Sequence, residues 1–242
     1  GMSARGRYRF ETVDVFTDRA FGGNPLAVFA DARGLGTAAM QRIAREFNLS
    51  ETTFVLPPDD AANDFRVRIF TPAAELPMAG HPTVGTAFVL ARRGAVDVAR
   101  PASELRFEEG VGLVRVAVEC AGGAVVRATM QQPLPEFGPV FERRDALAGA
   151  LGLDARQLAE APVQTVSCGV PFLMLPLRDA AAVARARIDA ARFASLAAAL
   201  PPTGLYCFAT ECSADDARAH ARLFAPALGI AEDPATGGAA GP

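Results

Sequence analysis

Residues 8–16 alternate apolar and polar side chains well enough to predict a strand, and 26–30 is a short apolar one. The turn cluster Gly22-Gly23-Asn24-Pro25 separates them. After Thr37, the residues Met40, Ile43, Ala44 and Phe47 fall on one face at helical spacing, and Asn48 is a suitable left-handed stop. Segments 52–56 and 65–70 are rich in β-branched and aromatic residues and predict strands. Pro82 then suits the first turn of a helix running to about Arg93, with Gly94 past its end. That helix is apolar nearly all round (Val84, Ala87, Phe88, Val89, Leu90), so it should be buried inside its own half. Segments 105–107, 113–118 and 124–130 predict further strands.

Pro133, Pro135, Gly138 and Pro139 read as a link to a second half. Helical patterns follow at 146–151 and 155–161, and strands at 163–167, 172–176, 205–209 and 221–224. An Ala-rich helix is expected over 188–200, stopped by Pro201-Pro202. A second buried helix should open at Pro234, where the sequence soon ends at Pro242.

Two stretches repeat. Arg68-Ile69-Phe70-Thr71-Pro72 followed by Gly80-His81-Pro82-Thr83 matches Arg222-Leu223-Phe224-Ala225-Pro226 followed by Asp233-Pro234-Ala235-Thr236-Gly237. Gly23-Asn24-Pro25-Leu26 matches Gly169-Val170-Pro171-Phe172 at an offset of 146. The repeats predict two copies of one fold, 1–132 and 133–242, the second incomplete at its C-terminus. The sequence stops in the middle of a motif, which favours a chain that continues beyond it. A site shared by the copies would lie between two helix N-termini, where free N–H groups favour a small anion.

Composition narrows the chemistry. Of 242 residues half are apolar, the net charge is −3 and no basic stripe appears, which excludes a nucleic-acid partner. No apolar run spans a membrane, and the first residues lack a signal-peptide core; Gly1 before Met2 reads as a remnant of cloning. A cytoplasmic location is expected. All 24 basic residues are Arg, which rules out Schiff-base and P-loop lysines. Cys120, Cys168, Cys207 and Cys212 lack C-x-x-C spacing and are expected to be free thiols. With two histidines and no G-x-G-x-x-G, neither a zinc site nor a dinucleotide is indicated, leaving cofactor-free acid–base chemistry.

Six motifs in order resemble the PhzF (phenazine-biosynthesis isomerase) family. They are Val13-Asp14-Val15-Phe16, Gly23-Asn24-Pro25-Leu26-Ala27-Val28, Asn48-Leu49-Ser50-Glu51-Thr52, Phe70-Thr71-Pro72, Gly80-His81-Pro82-Thr83 and Glu232-Asp233-Pro234-Ala235-Thr236-Gly237. The resemblance implies an α+β fold of two pseudo-symmetric diaminopimelate epimerase-like halves, each a barrel-like sheet around a central helix. It implies a cofactor-independent isomerase, usually a homodimer, acting on a small cyclic amino or carboxylic acid such as dihydro-3-hydroxyanthranilate. Glu51 matches the family's acid/base; His81 and Asp233 match residues that orient the substrate and its moving protons.

Each assignment has a plainer alternative. Glu51 could be a surface acid in a turn, and His81 and Asp233 could simply cap helices. The backbone at Gly80 and at Gly237 and Gly238 is a natural carboxylate cradle, yet glycine also serves helix packing. Asn24 borders the expected pocket or merely makes a turn. Gly238 stands where the family usually has Ser, which removes one hydroxyl donor. His220 matches no motif and is expected to be structural or exposed. Two rival functions stay open: a thiol racemase or epimerase of the same fold, and a truncated ligand-binding protein without catalysis. The racemase needs cysteines at the two helix-opening loops, and residues 79–83 and 233–237 contain none. The individual substrate is not legible in the sequence.

Overall fold

The computed structural model describes residues 6–200, 203–210 and 219–240. It separates into two compact units, Gly1–Pro133 and Leu134–Pro242.

In the first unit the β-branched and aromatic runs become strands β1 (Glu11–Val15), β2 (Asn24–Phe29), β3 (Glu51–Leu56), β4 (Phe65–Phe70) and the two-residue β5 (Glu75–Leu76). Strands β6 (Ala102–Glu109), β7 (Gly112–Ala121) and β8 (Ala124–Met130) complete one sheet in the order β1-β2-β3-β4-β6-β7-β8, with β5 on β4. Helix α1 (Thr37–Phe47) packs its apolar face on the sheet: Met40 and Ala44 meet Phe29, Phe54 and Phe70, with Ile43 and Phe47 alongside. Burying side chains of this size contributes roughly 1.5–3 kcal/mol each. Asn48 ends the helix in the left-handed conformation at φ 52°.

Helix α2 (Gly80–Leu90) is buried on almost every side, as its all-round apolar sequence requires, and packs on β1, β2, β7 and β8. The sheet thus curls about it. A tight turn over residues 91–95 follows, with Gly94 at φ 95°. Thr86 links the helix flank to β3, its hydroxyl 2.7 Å from that of Thr53.

The second unit holds β9 (Glu136–Val140), β10 (Gln164–Ser167), β11 (Pro171–Pro176), β12 (Gly204–Ala209), β13 (His220–Ala225) and β14 (Ile230–Asp233) in one sheet ordered β14-β13-β12-β11-β10-β9. Helices α3 (Arg144–Ala150), α4 (Ala180–Arg185) and α5 (Ala190–Leu196) bring Leu147, Leu151, Val183 and Phe193 onto Leu173, Leu175, Leu205 and Phe224. Val166, Phe172, Met174, Tyr206 and Leu223 form a second cluster with Ala239.

Several elements differ from the sequence expectation. The Pro-rich link 133–139 runs into β9, because an edge strand tolerates Pro139 without a ladder N–H. Helix 155–161 shrinks to a 3-10 turn at Ala155–Gln157: Asp154 and Gln157 form a capping box, but the Ala159 N–H leaves to bond Pro176 and Pro162 follows. The Ala-rich helix starts only after Asp189, whose carboxylate accepts from the Arg192 N–H, and ends at Leu196. Pro201 and Pro202, its expected stop, lie outside the described residues, as does Cys212. Helix α4 and strands β5 and β14 had no prediction. No helix opens at Pro234; a 3-10 turn forms at Gly238–Ala240, and α2 has no counterpart among the described residues of the second unit.

Among the described residues, no helix is long and apolar enough to cross a membrane. Cys120, Cys168 and Cys207 are buried free thiols. Burial pushes the Cys207 thiol up to about 12, so it has no nucleophilic character at neutral pH.

Candidate active site

Asn24 opens β2, Glu51 opens β3 and His81 is the second residue of α2. Local sterics bring these ends together. A Cβ on Gly23 would lie 2.1 Å from the Val15 carbonyl oxygen, so glycine is needed to close the turn before Asn24. The left-handed stop at Asn48 turns the chain into β3, which places Glu51 beside Leu26 in parallel register. On α2, a Cβ on Gly85 would lie 2.6 Å from Val15 Cγ2 and 2.7 Å from Leu26 Cδ2. The missing side chain lets the helix approach β1 and β2, carrying His81 to the two strand ends.

Asn24, Glu51 and His81 are all buried. Asn24 Nδ2 lies 3.1 Å from His81 Nδ1, and His81 Nε2 lies 3.5 Å from Glu51 Oε2. Which atom donates across the Asn24–His81 contact follows from the ring tautomer. Burial holds the imidazole pKa down at about 3, and the Pro25 backbone, which favours the charged ring, offsets only part of this. At neutral pH the contact is therefore a polar one between a neutral ring and an acid, not an ion pair. Such a pair can orient a substrate or pass a proton without placing a second charge in the interior.

The second unit presents its own segment. Asp233 ends β14 and is buried, and the Thr236 hydroxyl donates to its Oδ2. Gly237 is half-buried and Gly238 is buried at the start of the 3-10 turn, which the Ala240 N–H closes onto the Gly237 carbonyl at 3.1 Å. Ahead of Asp233, Glu232 takes a bidentate contact from Arg222 at 2.6 and 2.8 Å. His220, at the start of β13, is exposed.

One buried acid escaped the sequence reading. Glu109 ends β6, where burial alternates so that Leu105, Phe107 and Glu109 share the inward face. An acid at a core-facing position of a period-2 strand was the available signal. Its Oε1 lies 2.6 Å from Thr83 Oγ1, within the first turn of α2. Burial lifts its carboxyl pKa to about 8, against the opposing pull of Thr83.

Comparison with known proteins agrees with this architecture. Residues 13–242 match the family model PhzC-PhzF, described as phenazine biosynthesis-like protein. The chain is 39% identical over 237 residues to trans-2,3-dihydro-3-hydroxyanthranilate isomerase of Pseudomonas aeruginosa, covering 97% of this chain and 78% of that protein. The crystal structure of a PhzF-family phenazine biosynthesis protein of Bacillus anthracis superposes with a TM-score of 0.83 at 29% identity, covering 96% of this chain and 77% of that one. A probable proline racemase from Agrobacterium radiobacter shares the fold alone, with a TM-score of 0.63 at 12% identity over 93% of this chain and 72% of that one. With its epimerase-like α+β fold and a family match over nearly its whole length, the chain belongs to the PhzC-PhzF family of phenazine biosynthesis-like proteins and is an isomerase.

Proposed function

We propose that this isomerase moves a proton between carbons of a small cyclic amino acid resembling dihydro-3-hydroxyanthranilate, without a cofactor, using Glu51 as both acid and base. The carboxylate takes a proton from one ring carbon as the adjacent double bond shifts. It then delivers a proton to another carbon on the same face, the carboxyl proton exchanging with solvent between the two steps, so no oxidant or co-reactant is consumed. His81 steadies the developing charge or holds a substrate polar group, and Asn24 fixes the imidazole. Asp233 and the backbone at Gly80, Gly237 and Gly238 bind the substrate's amino and carboxylate groups. Gly238 offers only its backbone, one hydroxyl donor fewer than the serine usual in the family.

The observation that carries this reading is the asymmetry of Glu51. Leu26 faces Glu51 across the β2–β3 pair; in the second unit Phe172 faces Gly204 across the β11–β12 pair. The repeat thus retains one acid at this place, which suits a single group that takes a proton from one carbon and delivers one to another. A thiol racemase would need cysteines where the residues are Ala79 to Thr83 and Asp233 to Gly237. The expected homodimer is checked by sedimentation equilibrium.

Proton–deuterium exchange in D₂O, on a panel of dihydroaromatic amino acids, tests the assignment. Deuterium should enter the substrate with wild type and cease to do so with a folded Glu51→Gln variant. Exchange that survives in Glu51→Gln would remove Glu51 from the reaction. No exchange with any compound, from a folded sample, would favour binding without turnover.

A further inference from the structure

Thr83 has one hydroxyl hydrogen and two short contacts. Its Oγ1 lies 2.7 Å from the Ala79 carbonyl oxygen and 2.6 Å from Glu109 Oε1; Thr83 and Glu109 are buried and Ala79 is half-buried. A single hydrogen cannot serve two acceptors at these distances. The contacts are mutually satisfied if Glu109 carries a proton and donates it to Thr83, while Thr83 donates to Ala79.

The same end of the molecule is tied down a second time. The Val111 N–H donates to the Pro77 carbonyl at 3.1 Å, and a Cβ on Gly110 would lie 2.6 Å from Pro77 Cα. The turn after β6 therefore grips the loop leading into α2 by two routes. One is the backbone pair Pro77–Val111, and the other is the side-chain chain Glu109–Thr83–Ala79. Ala79 immediately precedes Gly80 and His81. The conformation of this short segment sets where the His81 ring and the first free N–H groups of α2 point.

We propose that Glu109 is a positioning residue, held as the neutral acid, that acts through Thr83 and the Ala79 carbonyl to fix the Gly80–His81 end of α2. Burial supports the neutral form, and its partners, Thr83 on α2 and Gly112 opposite it on β7, do not titrate. Above the pH at which Glu109 ionises, the donor is lost and two acceptors compete for one hydrogen. The end of α2 then loosens while Glu51 is untouched. The effect on catalysis rests on the isomerase reading above; the structural link does not.

The test separates the two. The chain has two histidines, so the imidazole resonances of buried His81 and exposed His220 are distinguishable by NMR. Glu109→Ala and Thr83→Val should shift the His81 signals and leave His220 in place. Glu109→Gln, whose amide donates at any pH, should restore the His81 signals at neutral pH and remove their change above pH 8. In deuterium exchange, Glu109→Ala should be slower by roughly 10-fold or more in kcat, with Glu109→Gln recovering most of it. A His81 spectrum indifferent to Thr83→Val, or Glu109→Gln as disruptive as Thr83→Val, overturns the proposal. If wild type shows no exchange at all, the isomerase reading fails while the His81 spectra still decide the role of Glu109.

Discussion

The two halves share a scaffold residue by residue and differ in what they place on it. Strands β1 to β5 pair antiparallel, parallel, antiparallel and antiparallel in succession; β10 to β14 repeat that order. Arg68 sits over Phe70 and grips Glu75 on β5 with both ends of its guanidinium; Arg222 sits over Phe224 and grips Glu232 on β14 in the same way. Against this common frame, the first half carries Asn24, Glu51 and His81 where the second carries Val170, Gly204 and Asp233. Duplication preserved the parts that make the sheet and released the strand ends, whose side chains do not hold it together. Chemistry could then diverge at the ends without unfolding either copy.

The largest expected effect comes from moving the acid between these equivalent places. Glu51→Gln should cut exchange by about 10²- to 10⁴-fold, the usual contribution of a positioned acid/base. Adding Gly204→Glu should not restore it. A Cβ at Gly204 would already lie 2.8 Å from Leu223 Cδ1 and 3.4 Å from Ala225 Cβ, so a longer side chain is forced out or strains the sheet. Overpacking of this kind costs about 1–3 kcal/mol and should lower the unfolding temperature of Gly204→Glu alone. Recovery of exchange in the double variant would show the two positions to be interchangeable, against the single-acid reading.

The halves should also differ in how pH acts on them, because the first unit buries two titratable groups with opposite shifts. His81 is depressed from 6.5 to about 3, so the unfolded chain binds more protons between those values. Stability is complete above about pH 6.5 and falls as pH drops toward 3. Glu109 is raised from 4.5 to about 8, so here the folded chain binds more protons. That contribution is complete below about pH 4.5 and is lost as pH rises through 8. Each limb amounts to a few kcal/mol at most. Urea unfolding across pH 4–9 should show Glu109→Gln flattening the alkaline fall and His81→Asn flattening the acid one. An unchanged alkaline limb in Glu109→Gln would mean that the carboxyl ionises normally in the fold.

What the sequence disclosed, and what it hid, follows the same division. Local periodicity sufficed for α1, β4, β8 and the buried α2, because one face or all faces of each are apolar. The repeat was visible through Arg68-Ile69-Phe70 and Arg222-Leu223-Phe224, residues that hold sheet geometry. Motif resemblance led to Glu51, His81 and Asp233, which no periodicity would have singled out from other acids and histidines. Strand β5 was hidden because two residues carry no period. Strand β9 was hidden because Pro139 within it, with Pro133 and Pro135 just before, mimics a linker until β10 supplies a partner. Glu109 was passed over since its meaning depends on Thr83, 26 residues away in sequence and on another element. The one local trace was an acid on the inward face of β6; its partner is not legible there.

The smallest effect distinguishes the two arginines, whose environments are otherwise matched: their side chains are 17% and 19% exposed. Arg68 spends its remaining Nη1 on the Thr37 hydroxyl at 3.0 Å. Arg222 directs its Nη1 to the carbonyls of Val183, Ala184 and Ala186 at 3.0, 3.2 and 2.9 Å, closing the C-terminal end of α4. Those carbonyls close a six-residue helix, where a positive charge also meets the favourable end of its dipole; Val183 accepts in addition from the Ala186 N–H, and Ala184 and Ala186 from Arg187 Nη1. Removing Arg68 deprives one hydroxyl that water can satisfy, whereas removing Arg222 takes one of two donors from each of three helix-end carbonyls. Charged hydrogen bonds contribute about 1.5–3 kcal/mol and exposed ion pairs about 0–1 kcal/mol. Arg222→Ala should therefore cost about 2 kcal/mol in urea unfolding and Arg68→Ala about 1 kcal/mol. Amide exchange should rise at α4 only in the Arg222 variant. Equal costs and an unchanged α4 would mean that both arginines serve their Glu partners alone, and that the frame of the two copies is uniform down to its side-chain ties.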